Sequence, residues 1–122
     1  MSKKVLYIED NADNVLLVQR ALQSRGYDFS SASTGTVGLT KAHAEHPDLI
    51  LLDINLPDID GYEVARRIRA DSHLHKIPII AITANALKGD ADKALAAGCD
   101  VYIPKPINLR ELWTQLAALL PT

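Results

Sequence analysis

Several features that the sequence lacks narrow the class of protein. The 122-residue chain has a single cysteine, Cys99, which leaves no partner for an internal disulfide and favours a reducing compartment. No apolar run approaches the roughly 20 residues that a transmembrane helix requires. The two lysines near the start precede an apolar run that Glu9 and Asp10 interrupt too soon for a signal peptide. We therefore expect a cytoplasmic protein that does not insert into membranes.

The charge balance gives no reason to expect a nucleic-acid partner. The formal net charge is −2 at pH 7, whereas binding to nucleic acid usually requires a basic patch or stripe. A hydrophobic content of 48% with 23% charged residues is typical of soluble globular proteins. The length is sufficient for one domain with its own core, and there is no repeat, low-complexity tract or linker. We predict a single domain over residues 1–122.

The chain alternates between short runs rich in branched apolar residues and stretches with helical periodicity. Short apolar runs bounded by polar residues are typical of strands in a parallel sheet. The runs are Val5–Ile8, Tyr27–Ala32, Leu49–Leu52, Ile79–Ile82 and Val101–Pro104. Right-handed crossovers place helices on both faces of such a sheet, so we predict a doubly wound α/β domain of five βα units.

A helical pattern follows each predicted strand. In the first helix Val15, Val18 and Leu22 recur at helical spacing, and Gly26 lies where a left-handed cap is expected. The second, residues 37–46, is weakened by Gly38 and stopped by Pro47. Two capping boxes open the third and fifth helices, Asp60-x-x-Glu63 and Asn108-x-x-Glu111. The fourth is marked by Leu87, Ala91, Ala94 and Leu95 and is ended by Gly98.

Polar residues lie at the ends of four of the predicted strands. Glu9 and Asp10 follow the first strand, Asp53 follows the third, Thr83 follows the fourth and Lys105 follows the fifth. Parallel strands all end at one edge of the sheet, which is where α/β proteins bind ligands. We therefore expect three carboxylates, a hydroxyl and an ammonium group to meet in one crevice.

A cluster of three carboxylates favours a bound cation, because the negative charges would otherwise repel one another. Mg²⁺ fits best, since it prefers oxygen ligands and is typically held by one or two carboxylates together with water and phosphate oxygens. The pattern brings no cysteine or histidine to the site, which argues against zinc. The histidines fall in or beside helices: His43, His46, His73 and His75.

The residue types and their spacing together resemble the response-regulator receiver domain of two-component signalling, of the chemotaxis-receiver type. The matching motifs cover almost the whole chain: Glu9-Asp10-Asn11, Asp53-x-Asn55-x-Pro57 with Gly61, Thr83-Ala84, and Tyr102-x-x-Lys105-Pro106. Each motif alone is weak evidence, but their order and intervals make the combination specific. The resemblance implies a flavodoxin-like sheet with strand order 2-1-3-4-5. Because the sequence ends directly after the last predicted helix, we expect a receiver domain over residues 1–122 without an output domain.

The resemblance also implies a set of metal ligands. Asp10 and Asp53 would bind Mg²⁺ directly, Glu9 would act mainly through water, and the backbone carbonyl of Asn55 would complete the protein's share. Glu9 departs from the pattern, because aspartate is also common there, but it keeps the charge. The Lys105–Pro106 bond is implied to be cis, although only about 5–6% of such bonds are cis in folded proteins.

Asp53 is the residue that we predict as nucleophile, because a carboxylate can attack phosphorus and form an acyl phosphate. Lys105 and the hydroxyl of Thr83 could each hold an equatorial oxygen of the phosphoryl group, whose charge the metal would neutralise. By resemblance, the donor is a phosphohistidine on a histidine kinase or a histidine phosphotransfer protein. The sequence of residues 82–90 resembles hybrid-kinase receivers and cell-cycle single-domain regulators, which favours a phosphorelay.

Thr83 and Tyr102 are the predicted switch residues. Movement of Thr83 toward a phosphoryl group on Asp53 would vacate space into which the Tyr102 ring could rotate. By resemblance, the face made by the fourth helix, fifth strand and fifth helix would then bind a protein partner. That face would carry Lys88, Lys93, Tyr102 and Asn108. Tyr102 could instead pack in the core, as we expect for Trp113.

Each motif also has a plainer interpretation when taken alone. Glu9 and Asp10 could belong to a helix cap, Asp53-x-Asn55-x-Pro57 could be a turn, Thr83 could bond to backbone and Lys105 could be a solvated surface lysine. A receiver excised from a hybrid histidine kinase is a further alternative, but the start at Met1 argues against it.

Two other protein classes share parts of the pattern. A phosphatase of the haloacid dehalogenase type requires a second aspartate two residues after its nucleophile, where this chain has Asn55. A flavin- or nucleotide-binding module cradles phosphate in a loop rich in glycine or hydroxyl residues after the first strand. Here that loop, residues 9–13, is acidic and would repel phosphate unless a metal intervened. Neither class fits as well.

Overall fold

A computed structural model describes residues 2–84 and 89–120. Within these residues, five strands alternate with five helices. The elements are β1 (Lys4–Ile8), α1 (Ala12–Gln23), β2 (Asp28–Ala32), α2 (Gly35–Glu45), β3 (Leu49–Asp53), α3 (Gly61–Ala70), β4 (Ile79–Thr83), α4 (Asp90–Ala97), β5 (Val101–Pro104) and α5 (Leu109–Leu119). The predicted alternation of strands and helices is confirmed.

The strands form one parallel sheet in the order β2-β1-β3-β4-β5. This confirms the flavodoxin-like α/β fold and the predicted strand order. Every residue of β3 and β4 is buried, because helices cover both faces of the sheet. Alternate residues of the strands therefore belong to two separate cores. One core contains Leu6, Ile50 and Ala81, and the other contains Val5, Leu51 and Ile82.

Side-chain caps fix where most of the helices begin. Asn11, Thr34, Asp60 and Asn108 precede α1, α2, α3 and α5, and each accepts a hydrogen bond from a backbone N–H in the first turn. The second helix therefore begins at Gly35, two residues before the predicted start. It ends at Glu45, where His46 adopts a left-handed conformation with φ of 50°. Gly98 caps α4 with φ of 112°, as the sequence predicted.

The side chains of Leu95 and Trp113 are more exposed than the sequence pattern indicates. Leu95 was included in the apolar pattern of the fourth helix, but its side chain is 46% exposed, because Ala94 and Ala97 form the buried face of α4. Trp113 is only partly buried, and the guanidinium of Arg25 lies 3.8 Å from its ring centre. Leu87, also assigned to that helix, lies outside the described residues, as do the other residues of 85–88.

No helix in the described parts of the chain combines the length and the apolar character that crossing a membrane requires.

Candidate functional site

The carboxyl ends of four strands converge on one edge of the sheet. Glu9 follows β1, Asp53 ends β3, Thr83 ends β4 and Lys105 follows β5. The register aligns these ends, because Leu52 pairs with Ile8, Asp53 with Ile82, and Thr83 with Pro104. The strand-end residues that the sequence singled out are therefore neighbours in space.

Three carboxylates form a cluster at this edge. One carboxylate oxygen from each of Glu9, Asp10 and Asp53 lies within 4.8 Å of the other two. Glu9 and Asp53 are each only 1% exposed, whereas Asp10 is exposed and forms the solvent side of the cluster. Burial, reinforced by the Asp53 carboxylate, raises the pKa of Glu9 above its ordinary value. A cation in this cluster would offset the repulsion among the three charges.

Glu9 is held by contacts on two sides. Its backbone N–H donates to the carbonyl of Ala32 at 2.9 Å, and its Oε1 accepts from Nδ2 of Asn14 at 2.6 Å. Its other oxygen, Oε2, is buried without a hydrogen-bond partner among the described residues. A buried carboxylate oxygen in that state is costly unless a cation or water completes its contacts. The donor set, which consists of oxygen atoms alone, matches a hard cation such as Mg²⁺.

Lys105 bridges the two buried carboxylates. Its Nζ lies 3.0 Å from Oδ2 of Asp53 and 3.4 Å from Oε1 of Glu9. Burial alone would lower the pKa of Lys105, but the carboxylates of Asp53 and Glu9 outweigh it and raise the pKa above its ordinary value. The ammonium group therefore stays charged beside Asp53. The Lys105–Pro106 peptide bond is cis, the isomer that the resemblance implied.

The loop after β3 folds closely against Asp53. Oδ1 of Asp53 accepts from the backbone N–H of Asn55 at 3.0 Å, and the N–H of Gly61 donates to the carbonyl of Ile54 at 2.9 Å. A Cβ atom at Gly61 would lie 2.6 Å from the carbonyl oxygen of Asp53, so any other residue would push this loop away. The glycine keeps Asn55, which is exposed, next to the acidic cluster.

Thr83 links the site to helix α4. Its side chain is fully buried, and its Oγ1 donates to Oδ2 of Asp90 at 3.2 Å. Tyr102 lies on the neighbouring strand, paired with Ala81, and is 37% exposed rather than part of the core. Thr83 and Tyr102 are therefore on adjacent strands and on the same face of the sheet.

Two surface clefts flank this edge. One, of about 350 Å³, lies beside the carboxylates and is lined by Asn14, Leu17, Lys105, Pro106 and Ile107. The other, of about 660 Å³, lies between α4, β5 and α5 and is lined by Leu95, Asp100, Val101, Tyr102, Pro104, Glu111 and Gln115. The first includes Asn14 and Lys105, both of which contact Glu9, and the second includes the predicted switch residue Tyr102.

Sequence reasoning missed two residues that contact the site. Asn14 binds Glu9 from the first turn of α1, and Asp90 binds Thr83 from the first turn of α4. A signal for Asn14 was present, because the N-terminus of a helix that directly follows a strand faces the same edge of the sheet. Asp90 had no comparable signal, since it lies seven positions after Thr83 in the sequence.

Comparisons with known proteins agree with this geometry. A family model described as the response regulator receiver domain matches residues 5–117. The polar-differentiation response regulator DivK of Brucella ovis is 41% identical over 109 residues, which cover 89% of this chain and 89% of the Brucella protein.

Solved structures give the same result. The receiver domain of the sensor histidine kinase PA1611 from Pseudomonas aeruginosa, with a magnesium ion coordinated in its active site cleft, is 36% identical and has a TM-score of 0.92, with all of both chains covered. The chemotaxis response regulator CheY4 of Vibrio cholerae is 28% identical with a TM-score of 0.92, covering 98% of this chain and 100% of that chain. The chain therefore belongs to the response regulator receiver domain family.

Proposed function

We propose that this chain accepts a phosphoryl group on Asp53 from a phosphohistidine and thereby changes its affinity for a protein partner. The observation that carries the proposal is the placement of the Asp53 carboxylate, which is buried, clustered with two other carboxylates and 3.0 Å from the Lys105 ammonium. If this position had only a structural role, a neutral apolar residue would occupy it at a lower cost in free energy than a buried carboxylate. The proposal makes the chain a signalling module that catalyses its own phosphorylation and dephosphorylation.

The residues present suit Mg²⁺ at the acidic cluster. Asp10 and Asp53 would bind it directly, Glu9 would act through water, and the carbonyl of Asn55 would supply a further oxygen. The buried, unpartnered Oε2 of Glu9 supports this assignment, as does the magnesium ion of the similar PA1611 receiver. When bound, Mg²⁺ would offset the negative charge of the incoming phosphoryl group and of the carboxylates.

Transfer requires one bond to form and one to break at phosphorus. A carboxylate oxygen of Asp53 attacks the phosphorus while the phosphorus–nitrogen bond of the phosphohistidine breaks, and the imidazole nitrogen takes the electron pair. During the transfer, Lys105 and the hydroxyl of Thr83 bind equatorial oxygens of the phosphoryl group. Hydrolysis of the resulting acyl phosphate by water returns Asp53 and inorganic phosphate.

The donor would be a histidine kinase or a histidine phosphotransfer protein. Similarity to DivK supports a response regulator, and similarity to the PA1611 receiver favours a second arrangement, in which the domain is part of a sensor histidine kinase. Both arrangements use the same chemistry at Asp53. The role implies a cytoplasmic location, and it requires neither nucleic acid nor a membrane.

The output surface would be the face made by α4, β5 and α5, which includes the larger cleft. Lys93 on α4, Tyr102 on β5 and Asn108 at the start of α5 are all exposed, whereas Lys88, which we also predicted on this surface, lies outside the described residues. Leu95 is 46% exposed at the edge of the same cleft. Exposed apolar side chains beside polar ones are suited to binding another protein.

The test of the proposed function is phosphorylation by a small-molecule donor. Incubation with acetyl phosphate and Mg²⁺ should add one phosphoryl group, measured by intact mass, and EDTA should prevent the addition. A chain that gained no mass from acetyl phosphate, and none from a phosphorylated histidine donor, would not have the proposed function.

Replacement of Thr83 by alanine should separate phosphorylation of Asp53 from the structural response of α4 and β5. The Thr83 hydroxyl, which donates to Asp90, could instead donate to a phosphoryl oxygen on Asp53, and this change would reach both α4 and Tyr102. Thr83→Ala should therefore still bind the phosphoryl mimic beryllofluoride, but α4 and β5 should respond weakly. Allosteric coupling of this kind typically changes partner affinity by roughly 5–150-fold.

The control for this prediction is Thr83→Ser, which keeps the hydroxyl group. Backbone NMR spectra with and without beryllofluoride should show shifts for α4 and β5 in wild type and in Thr83→Ser, and much smaller shifts in Thr83→Ala. Equal shifts in all three proteins would rule out coupling through the hydroxyl.

A further inference from the structure

One carboxylate fastens the loop between β3 and α3 to the start of α2. Oδ1 of Asp58 accepts a hydrogen bond from the backbone N–H of Gly35 at 2.8 Å, and Oδ2 accepts from the N–H of Thr36 at 2.9 Å. The hydroxyl of Thr36 also donates to Oδ2. These bonds, led by the Thr36 hydroxyl, hold the pKa of Asp58 below its ordinary value. Asp58 thus stays ionised at neutral pH, at a helix N-terminus where an anion is favoured.

Close packing strengthens the same contact. A Cβ atom at Gly35 would lie 2.6 Å from Cγ1 of Ile59 and 2.8 Å from Cγ2 of Val64. The first residue of α2 therefore lies directly against the outer half of the loop, with no space for a side chain. Hydrogen bonds and packing together make α2 a fixed support for the loop.

The inner half of the loop is attached to the acidic cluster. The N–H of Asn55 donates to Oδ1 of Asp53 at 3.0 Å, and Asn55 lies three residues before Asp58. The segment from Asn55 to Asp58 is therefore held at one end by Asp53 and at the other by α2. The carbonyl group of Asn55 lies between these two attachments.

We propose that Asp58 is a positioning residue for the metal site, which keeps the Asn55 carbonyl in place by fastening the loop to α2. This inference rests on the proposed function, because it takes Mg²⁺ as the cation and Asn55 as one of its ligands. Side chains that orient a metal ligand without touching the metal typically contribute about 10–100-fold to metal affinity. Asp58 acts through the intervening backbone, so the lower end of that range is expected.

Asp58→Ala tests the proposal. The dissociation constant for Mg²⁺ alone, measured by titration calorimetry, should rise on the order of tenfold. Phosphorylation by acetyl phosphate should slow at limiting Mg²⁺ and recover at saturating Mg²⁺, since the nucleophile itself is intact. A purely structural role would lower the thermal stability of the protein and leave Mg²⁺ affinity unchanged, which would overturn the proposal.

Thr34→Ala is the matched control, because it weakens the start of the same helix without touching the loop. Oγ1 of Thr34 accepts from the N–H of Val37 at 3.1 Å, so its loss should destabilise α2 at unchanged Mg²⁺ affinity. An equal loss of Mg²⁺ affinity in Thr34→Ala and Asp58→Ala would also overturn the proposal, because helix stability would then explain both.

Two milder variants remain informative where Asp58→Ala does not fold. Asp58→Asn keeps one acceptor oxygen, and Thr36→Val removes only the hydroxyl donor, so each should weaken Mg²⁺ binding less than Asp58→Ala. Wild-type affinity in both variants would contradict the proposal. A wild-type chain that neither bound Mg²⁺ nor accepted a phosphoryl group would instead refute the proposed function, and this inference with it.

Discussion

Asparagine at position 53 is expected to abolish phosphoryl transfer to this chain. The amide has almost the same size as the carboxylate, but it carries no negative charge and is a far weaker nucleophile toward phosphorus. The substitution also removes the carboxylate that lies 3.0 Å from Lys105 Nζ, so the ammonium group loses its closest buried partner. With acetyl phosphate and Mg²⁺, intact mass should show one added phosphoryl group in wild type and none in Asp53→Asn.

Asp48→Asn provides a matched control at the opposite end of the same strand. Asp48 immediately precedes β3, and its Oδ2 accepts from the backbone N–H of Lys4 at 2.8 Å, far from the acidic cluster. This variant undergoes the same chemical change and should be phosphorylated like wild type. Equal modification of Asp53→Asn and wild type would remove Asp53 from the role of phosphoacceptor.

The central part of the fold was predictable because its physical signal is local. Strands β3 and β4 are covered on both faces, so every position favours an apolar residue and the strands stand out as continuous runs. Their carboxyl ends must then meet at one edge, and the chemistry of that edge follows from the residues after each run. Glu9, Asp53, Thr83 and Lys105 could be brought together on this argument alone.

The second helix was harder to predict because packing determines it. Gly38 reads as a residue that weakens a helix, yet a Cβ atom there would lie 2.4 Å from Cδ1 of Ile8. The glycine allows α2 to approach β1 closely, and this benefit cannot be seen in a local pattern. The cap at Thr34 lies outside the apolar periodicity, so the predicted start was two residues late.

Contacts made by long side chains, or between residues distant in the sequence, could not be predicted from the sequence either. In both predicted capping boxes the first hydrogen bond forms. Oδ1 of Asp60 accepts from the backbone N–H of Glu63, and Oδ1 of Asn108 accepts from that of Glu111. The carboxylate of Glu63, however, pairs with Arg66 and Arg67 one turn further on. The contacts of Asp58 and Asp90 depend on where loops and helix ends lie in three dimensions. Such contacts are set by tertiary packing, which a spacing rule does not specify.

The substitution Asp10→Asn is expected to change stability in opposite directions with and without Mg²⁺. Asp10 has a carboxylate oxygen within 4.8 Å of those of Glu9 and Asp53. Repulsion between two unit charges at such a distance is about 1 kcal/mol where water screens them. Without metal, Asp10→Asn should therefore raise the free energy of unfolding by about 0.5–1 kcal/mol.

Saturating Mg²⁺ should reverse that order. A ligand present at about 100 times its dissociation constant stabilises the folded state by about 2.7 kcal/mol. Because Asp10→Asn removes one of the proposed direct ligands, most of this stabilisation should be lost in the variant, and calorimetry should show weaker Mg²⁺ binding. Denaturant unfolding should therefore show the variant to be more stable than wild type in EDTA, and wild type to be more stable than the variant in saturating Mg²⁺.

Asp13→Asn tests whether this reversal of the stability order is specific to the three clustered carboxylates or occurs for any nearby acidic residue. Asp13 is exposed in the first turn of α1 and is not one of the three clustered carboxylates. Its loss should lower stability by about 0.3–1 kcal/mol, because an acid near a helix N-terminus is favourable. That effect should be the same in EDTA and in Mg²⁺. Unchanged Mg²⁺ affinity in Asp10→Asn, or a matching loss in Asp13→Asn, would exclude Asp10 as a specific ligand of the metal.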